Sequence, residues 1–255
     1  MRKGTSIRYK GSEYNPDGDR PINLKHIPSI KSKEELKKAI ADKEMHFIHV
    51  TGDKMYGIDK LVYKRQKFLL LEPNPVTFYF SLAFDAVQQL DTVRKKLEET
   101  LIADNDDHLK AVLFSHIFRI ASVSSIFSFL ALEAFLNQLL PDHQLIEYKG
   151  KGFTKNRIQR WVPFEEKLTI IIPTLCHKNF GMAYPKRMEK IIELKRMRDN
   201  LTHLKEITNG FTSYNEVYQD ILDTNFKSMV FAVKSCINFY NPKLIINYKL
   251  KTRIK

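Results

Sequence analysis

Cysteine is nearly absent: Cys176 and Cys236 are the only two in 255 residues. Two thiols cannot form a disulfide framework, and no Cys-His zinc spacing surrounds them. Glycine and proline are also sparse, nine and ten respectively, which argues against an all-β protein built on many tight turns. The N-terminal stretch MRKGTSIRYKGSEYNP lacks the apolar run of a signal peptide, so a reducing, cytoplasmic location is expected. The most apolar stretch, Ile120 to Leu132, is bounded by Arg119 and Glu133. It is too short to cross a bilayer, so no membrane partner is expected. Gly-rich phosphate loops, a paired-cysteine metal site and a GxSxG elbow are missing as well.

Acid is the other shortage. There are 29 Asp/Glu against 42 Lys/Arg, a net charge of +13. Basic faces recruit phosphate by releasing counterions, which invites a nucleic-acid reading. The charge is uneven, however. Residues 1–38 hold ten Lys/Arg and five Asp/Glu, net +5, and Lys243–Lys255 hold five Lys/Arg and no acid, another +5. Residues 39–242 therefore carry 13 − 5 − 5 = +3. Basic ends of this kind bind RNA, DNA or an acidic partner, or simply stay solvated.

What is present in quantity is helical periodicity. Residues 1–75 are the exception and read as an N-terminal arm and mixed segment. The first thirty residues have little pattern and read as an extended arm, with Tyr9 and Tyr14 interleaved among basic residues. Ser32, with Glu35 three residues on, caps a short helix to about Lys43. Met45–Val50 is β-like, and Leu61 to Leu71 fits helix or strand. From Pro75 the period becomes 3.6: one amphipathic helix spans Val76 to Ile102 and a mostly apolar one His108 to Leu140. Asp104 to Asp107 form the turn and cap between them. Tyr148 to Arg160 reads as a polar loop. Pro163 opens a helix that reaches Ile172 and stops before Pro173. Thr174 to Pro185 reads as a loop, Lys186 to about Glu206 as a helix ended by Asn209-Gly210, and Asn215 to Tyr240 as a final helix. The tail 243–255 alternates apolar and polar residues and fits a strand or an arm. The expected fold is mainly α, a helical bundle over 76–242 with a less regular N-terminal segment.

One polar cluster stands out on a helix that should bury an apolar face: Lys195, Arg196, Arg198, Asp199, Asn200 and His203. Asp199 and His203 are four apart, so the carboxylate can orient the imidazole. Arg198 and His203 are five apart, about 140° around an ideal helix. They would converge on one substrate only through the length of Arg198, local distortion of the helix, or a subunit interface. Glu133 lies within the most apolar helix and needs a partner, for which an arginine fork on the 196–203 helix is the best candidate. Asn137 shares its face. Both suit a satisfied polar network between helices. His108 and His116 lack ligand spacing. Trp161, beside Arg157 and Arg160, could stack a nucleic-acid base, although a lone tryptophan before a proline is more often a packing anchor.

The string ELKRMRDNLTH at 193–203 resembles the signature helix of the HEPN superfamily, whose motif is an Arg followed, after four to six residues, by a His. Here four residues separate Arg198 from His203, with Asp199 in the second place. SFLALEAFLNQLL at 128–140 is similar to the family's first bundle helix, whose Glu and Asn match Glu133 and Asn137, and PFEEKLTIII at 163–172 resembles its second. The resemblance covers about residues 108–240. It implies an up-and-down α bundle, often dimeric, with Arg and His of both subunits facing one groove. Many members are metal-independent endoribonucleases, frequently in toxin–antitoxin or antiviral systems, so a neutralising partner protein is one candidate partner.

The chemistry suits these residues. An imidazole can take the proton of a ribose 2′-OH or protonate the leaving 5′-oxygen, and an arginine can stabilise the charge of the phosphorane-like transition state. One histidine cannot do both at once, but a two-fold dimer supplies a second. The expectation is thus an endoribonuclease with Arg198 and His203 catalytic. Asp199, Asn200, Glu133 and Asn137 would orient the site, Lys195 and Arg196 would contact RNA, and no metal or cofactor is needed. The alternatives are a non-catalytic module binding nucleotide, RNA or a partner protein, and a purely structural dimerisation domain.

Overall fold

Local signals account for most of the helix boundaries. In the computed structural model, residues 5–7, 32–41, 47–51, 54–103, 106–204 and 214–249 are described, and the chain is mainly α-helical. It divides into two compact units, residues 9–75 and residues 1–8 together with 76–255.

In the smaller unit, helix α1 (Lys33–Ala41) is capped by Ser32, whose hydroxyl accepts the Glu35 N–H at 3.1 Å. Strands β2 (Phe47–Thr51), β3 (Lys54–Tyr63) and β4 (Gln66–Leu71) form an antiparallel sheet in that order, so the segment 61–71, open between helix and strand in the sequence, is strand. Tyr63 pairs with Gln66 across a two-residue turn, Lys64-Arg65, with both φ values positive. That is the turn whose twist matches a hairpin, made here without glycine or asparagine.

The larger unit begins with strand β1 (Thr5–Ile7), which pairs antiparallel with β7 (Asn247–Lys249). The start of the supposed arm and the tail therefore meet in one ribbon. The remaining arm residues, Tyr9 and Tyr14 among them, lie outside the described residues, as do Leu250 and the Asn209-Gly210 helix end. Helix α2 (Pro75–Ala103) opens on proline, whose missing N–H is unneeded in a first turn. Helix α3 (Asp107–Gln138) is capped by Asp106, which accepts the Leu109 N–H at 2.8 Å. By length and composition α3 could cross a membrane, a longer apolar stretch than residues 120–132 alone suggest, but 56% of its most apolar window is buried within the fold.

Several sequence expectations are corrected here. The supposed loop 148–160 contains a hairpin, β5 (Ile146–Tyr148) and β6 (Lys151–Phe153), followed by helix α4 (Lys155–Trp161). Lys149 and Gly150 make its turn with φ of 52° and 72°. The strands are too short for an alternation pattern to show. Second, the helix opened by Pro163 does not stop at Pro173. It runs as α5 (Phe164–Glu166), a π-helical turn (Lys167–Ile171) and α6 (Ile172–Cys176). The Ile172 N–H reaches back five residues to the Lys167 carbonyl, and the wider turn admits a proline that would clash in a regular α-helix. A short helix, α7 (Phe180–Ala183), then interrupts the expected loop.

Third, the last helix is two. α9 (Asn215–Asp223) and α10 (Phe226–Tyr240) are separated at Thr224-Asn225. Arg94 of α2 donates to the carbonyls of Ile221 and Thr224, both at 2.8 Å, answering backbone groups that a helix end leaves orphaned. Asn225 caps α10 through the Ser228 N–H. Helix α8 (Pro185–Thr202) packs with α3 and α10, and α3 also meets α9. Ile191, Leu194 and Met197 of α8 are buried in the resulting core with Phe129, Leu132 and Phe135 of α3.

Candidate functional site

Helix α8 turns Ile191, Leu194 and Met197 inward, so its polar cluster flanks the core. Arg198 follows the buried Met197 and reaches α3, where its guanidinium carbon lies 3.8 Å from the centre of the Phe129 ring. Phe129 in turn packs on Phe164 at 4.6 Å. The Arg198 side chain is 25% exposed, one of its terminal nitrogens is 2.8 Å from Asp199 Oδ1, and its Nε is buried without a hydrogen-bond partner. A stacked, carboxylate-paired guanidinium of this kind is held in place by several weak contacts acting together.

The other Asp199 oxygen accepts from Lys195 Nζ at 2.9 Å, and Lys195 also reaches Glu165 Oε1 at 3.0 Å. Its hydrogen bonds to Asp199 and then to Glu165 hold the Lys195 ammonium above the usual lysine range. Asp199 is thus occupied by two cations. Its expected service to the His203 imidazole is replaced by a backbone contact, the His203 N–H donating to the Asp199 carbonyl at 3.0 Å. His203 is exposed and terminates α8 with φ −125° and ψ 56°. Its backbone has left the helix, so the 140° of an ideal helix no longer describes its direction from Arg198. Among the described residues, the side chains of Arg196, Asn200 and His203 take no part in the Arg198–Asp199–Lys195–Glu165 network. Arg196 is exposed and Asn200 half-buried.

Glu133 and Asn137 follow Phe129 at four-residue steps on α3, so all three share a face. Their partner is not the expected arginine of α8. Lys167, in the π-helical turn and 1% exposed, sits 3.3 Å from Asn137 Oδ1 and 3.8 Å from Glu133 Oε1. Burial pushes the Lys167 pKa down, and the Glu133 charge partly offsets this. Glu133 itself is 37% exposed rather than buried, which is why it does not need an arginine fork.

Sequence reasoning missed Lys167, Glu165 and Phe129. The signal for Lys167 was present: Phe164, Leu168, Ile171 and Ile172 mark a buried stripe, and Lys167 lies on it by spacing. Trp161 is also placed differently from a packing anchor, for it is 76% exposed at the end of α4. Among the described residues there is no cluster of three metal-ligating side chains.

No protein-family model, curated protein or solved structure matches this chain.

Proposed function

We propose that the chain is a HEPN-like, RNA-directed protein that cleaves RNA without a metal, through Arg198 and His203 in a groove completed by a second copy of the chain. The observation that supports this reading is the presence, within the last turn and a half of α8, of a guanidinium fixed against α3 and of an exposed histidine at the helix end. In this reading the His203 imidazole removes the 2′-OH proton. The 2′-oxygen attacks phosphorus, the bond to the 5′-oxygen breaks, and His203 of the partner subunit protonates that leaving oxygen. A 2′,3′-cyclic phosphate and a 5′-hydroxyl end result. Arg198 stabilises the equatorial oxygens as charge builds on them.

A specific observation favours the non-catalytic alternative: Lys195 and Arg198 already have carboxylate partners. A module that binds RNA, nucleotide or a partner protein could keep those pairs intact. The two readings separate on incubation of purified protein with single-stranded and transfer RNAs in EDTA. Cyclic-phosphate products from the wild type, absent with His203→Ala at unchanged Tm, are the expected result. A folded dimer that cuts nothing overturns the enzyme reading, and salt-dependent RNA affinity lost in Arg198→Ala then identifies the binding module. Loss of the dimer or of Tm in both variants, with neither cleavage nor binding, identifies a structural network.

A further inference from the structure

Among the described residues, the most exposed large aromatic outside the candidate site is the chain's only tryptophan. Trp161, at 76% exposure, ends α4, and burying such a ring is normally among the stronger contributions to a core. Its surroundings are cationic. Between Lys149 and Trp161 the chain has five Lys/Arg and no Asp/Glu. Two of these cations have carboxylate partners, Lys149 with Glu166 at 3.0 Å and Lys155 with Asp142 at 2.8 Å. Lys151, Arg157 and Arg160 are exposed and have no carboxylate partner among the described residues.

Helix geometry gathers the patch. Arg157, Arg160 and Trp161 fall within about 100° of arc on α4, while Ile158 points to the core and is fully buried. The platform beneath is firm. The Arg157 guanidinium carbon lies 4.7 Å from the Phe153 ring centre, and Phe153 packs edge-on against Tyr148 at 5.6 Å. The Tyr148 hydroxyl donates to Glu166. Its neighbour Glu165 pairs with Lys195 of α8, so α5 ties the hairpin to the network containing Arg198.

We propose that Trp161, Arg157 and Arg160, with Lys151 of the hairpin, form a binding site for single-stranded nucleic acid, in which the Trp161 ring stacks on a base and the cations hold flanking phosphates. A flat ring among unpaired cations matches an anionic backbone that carries flat rings, whereas an acidic peptide would use only the charge. The choice of RNA over DNA as the natural ligand rests on the function proposed above. The site itself does not depend on catalysis.

Because Trp161 is the only tryptophan, its fluorescence reports this site alone. The test is titration of the full wild-type chain, in EDTA, with an unstructured 2′-O-methyl oligonucleotide, which cannot be cut through its 2′ position. Polyphosphate and anionic phospholipid vesicles are titrated in parallel. The expected result is strong quenching by the oligonucleotide and little by polyphosphate. By anisotropy of a labelled oligonucleotide, Trp161→Ala should weaken binding about tenfold or more and Trp161→Phe much less, the scale of one base stack. Arg157→Ala and Arg160→Ala should each flatten the salt dependence by about 0.7 in log–log slope, as for one phosphate contact to a single strand. Absence of oligonucleotide binding overturns the proposal, as does affinity unchanged in Trp161→Ala. Equal quenching by polyphosphate, or a blue-shifted emission on vesicles at lower concentration than the oligonucleotide needs, overturns it in favour of simple charge or a membrane surface. Quenching that persists in a protein that cuts no RNA removes the nuclease reading and leaves this site standing.

Discussion

The cations at the end of α8 and those of the β5–α4 segment differ in what already holds them. Arg198 is stacked on Phe129 and bonded to Asp199, and Lys195 bridges Asp199 and Glu165. Arg157 leans on Phe153 but, like Arg160 and Lys151, meets no carboxylate among the described residues. The first group is built into the fold, and any ligand there must compete with internal carboxylates. The second is open to solvent and can take a polyanion without breaking a bond. Net charge alone does not distinguish these two kinds of cation, since each counts as +1.

The comparison can be broken most sharply at His203. If the α8 end is an active site, His203→Ala should lower RNA cleavage by about 100-fold or more, the usual range for removing an acid–base group, with an unchanged melting curve because the side chain is exposed. Next in size is the contrast between Arg198→Ala and Trp161→Ala in denaturant titrations. The first should cost about 2 kcal/mol, from a lost cation–π stack and a lost ion pair with Asp199. The second should stay within about 0.5 kcal/mol, as for an exposed side chain away from such features.

Lys195→Met should cost less, about 0.5–1 kcal/mol at neutral pH, because the ion pairs it removes are partly exposed. Its pH dependence has a definite sign. The Lys195 pKa is raised in the fold, so its contribution is complete below the ordinary value of 10.5 and is lost as pH rises through the folded value. The Tm gap between wild type and Lys195→Met should therefore be constant from pH 7 to 9 and close at still higher pH. Lys167 has the opposite sign. Its pKa is lowered by burial, so its charge opposes folding at neutral pH and that cost fades as pH approaches 10.5. Lys167→Met, which keeps the stem and drops the charge, should change stability by less than about 1 kcal/mol; thermal melts with and without the substitution at pH 7 and 10 check this.

Much of the helical framework was legible from the chain. The period from Pro75, the Asp106 cap and the Pro163 start all act within one or two turns, and the corresponding helices begin where those residues are. The features that local pattern does not show depend on distant partners or on very short elements. Thr224-Asn225 breaks a helix because Arg94, 130 residues before Thr224, supplies donors to its carbonyl. Pro173 fails to stop a helix because a π turn forms before it, with the buried Lys167 as its first residue. The 146–153 hairpin has strands of three residues each, too short for alternation to register, though Lys149-Gly150 is a recognisable turn.

The candidate site divides in the same way. The residues Arg198 and His203 could be read directly, since spacing is a local property, but the sequence carried their helix to about Glu206, whereas α8 stops at Thr202 and leaves His203 at its end. That Asp199 serves Lys195 and Arg198 rather than the His203 imidazole, that Glu133 and Asn137 meet Lys167, and that Trp161 faces solvent were decided only by tertiary structure. The sequence by itself determined a basic, mainly helical chain, because composition and a 3.6-residue period require no knowledge of neighbours. Which charges are neutralised within the fold and which remain open to a ligand was set by packing, which brings Glu165 to Lys195 and Asn137 to Lys167 from 30 residues away along the chain.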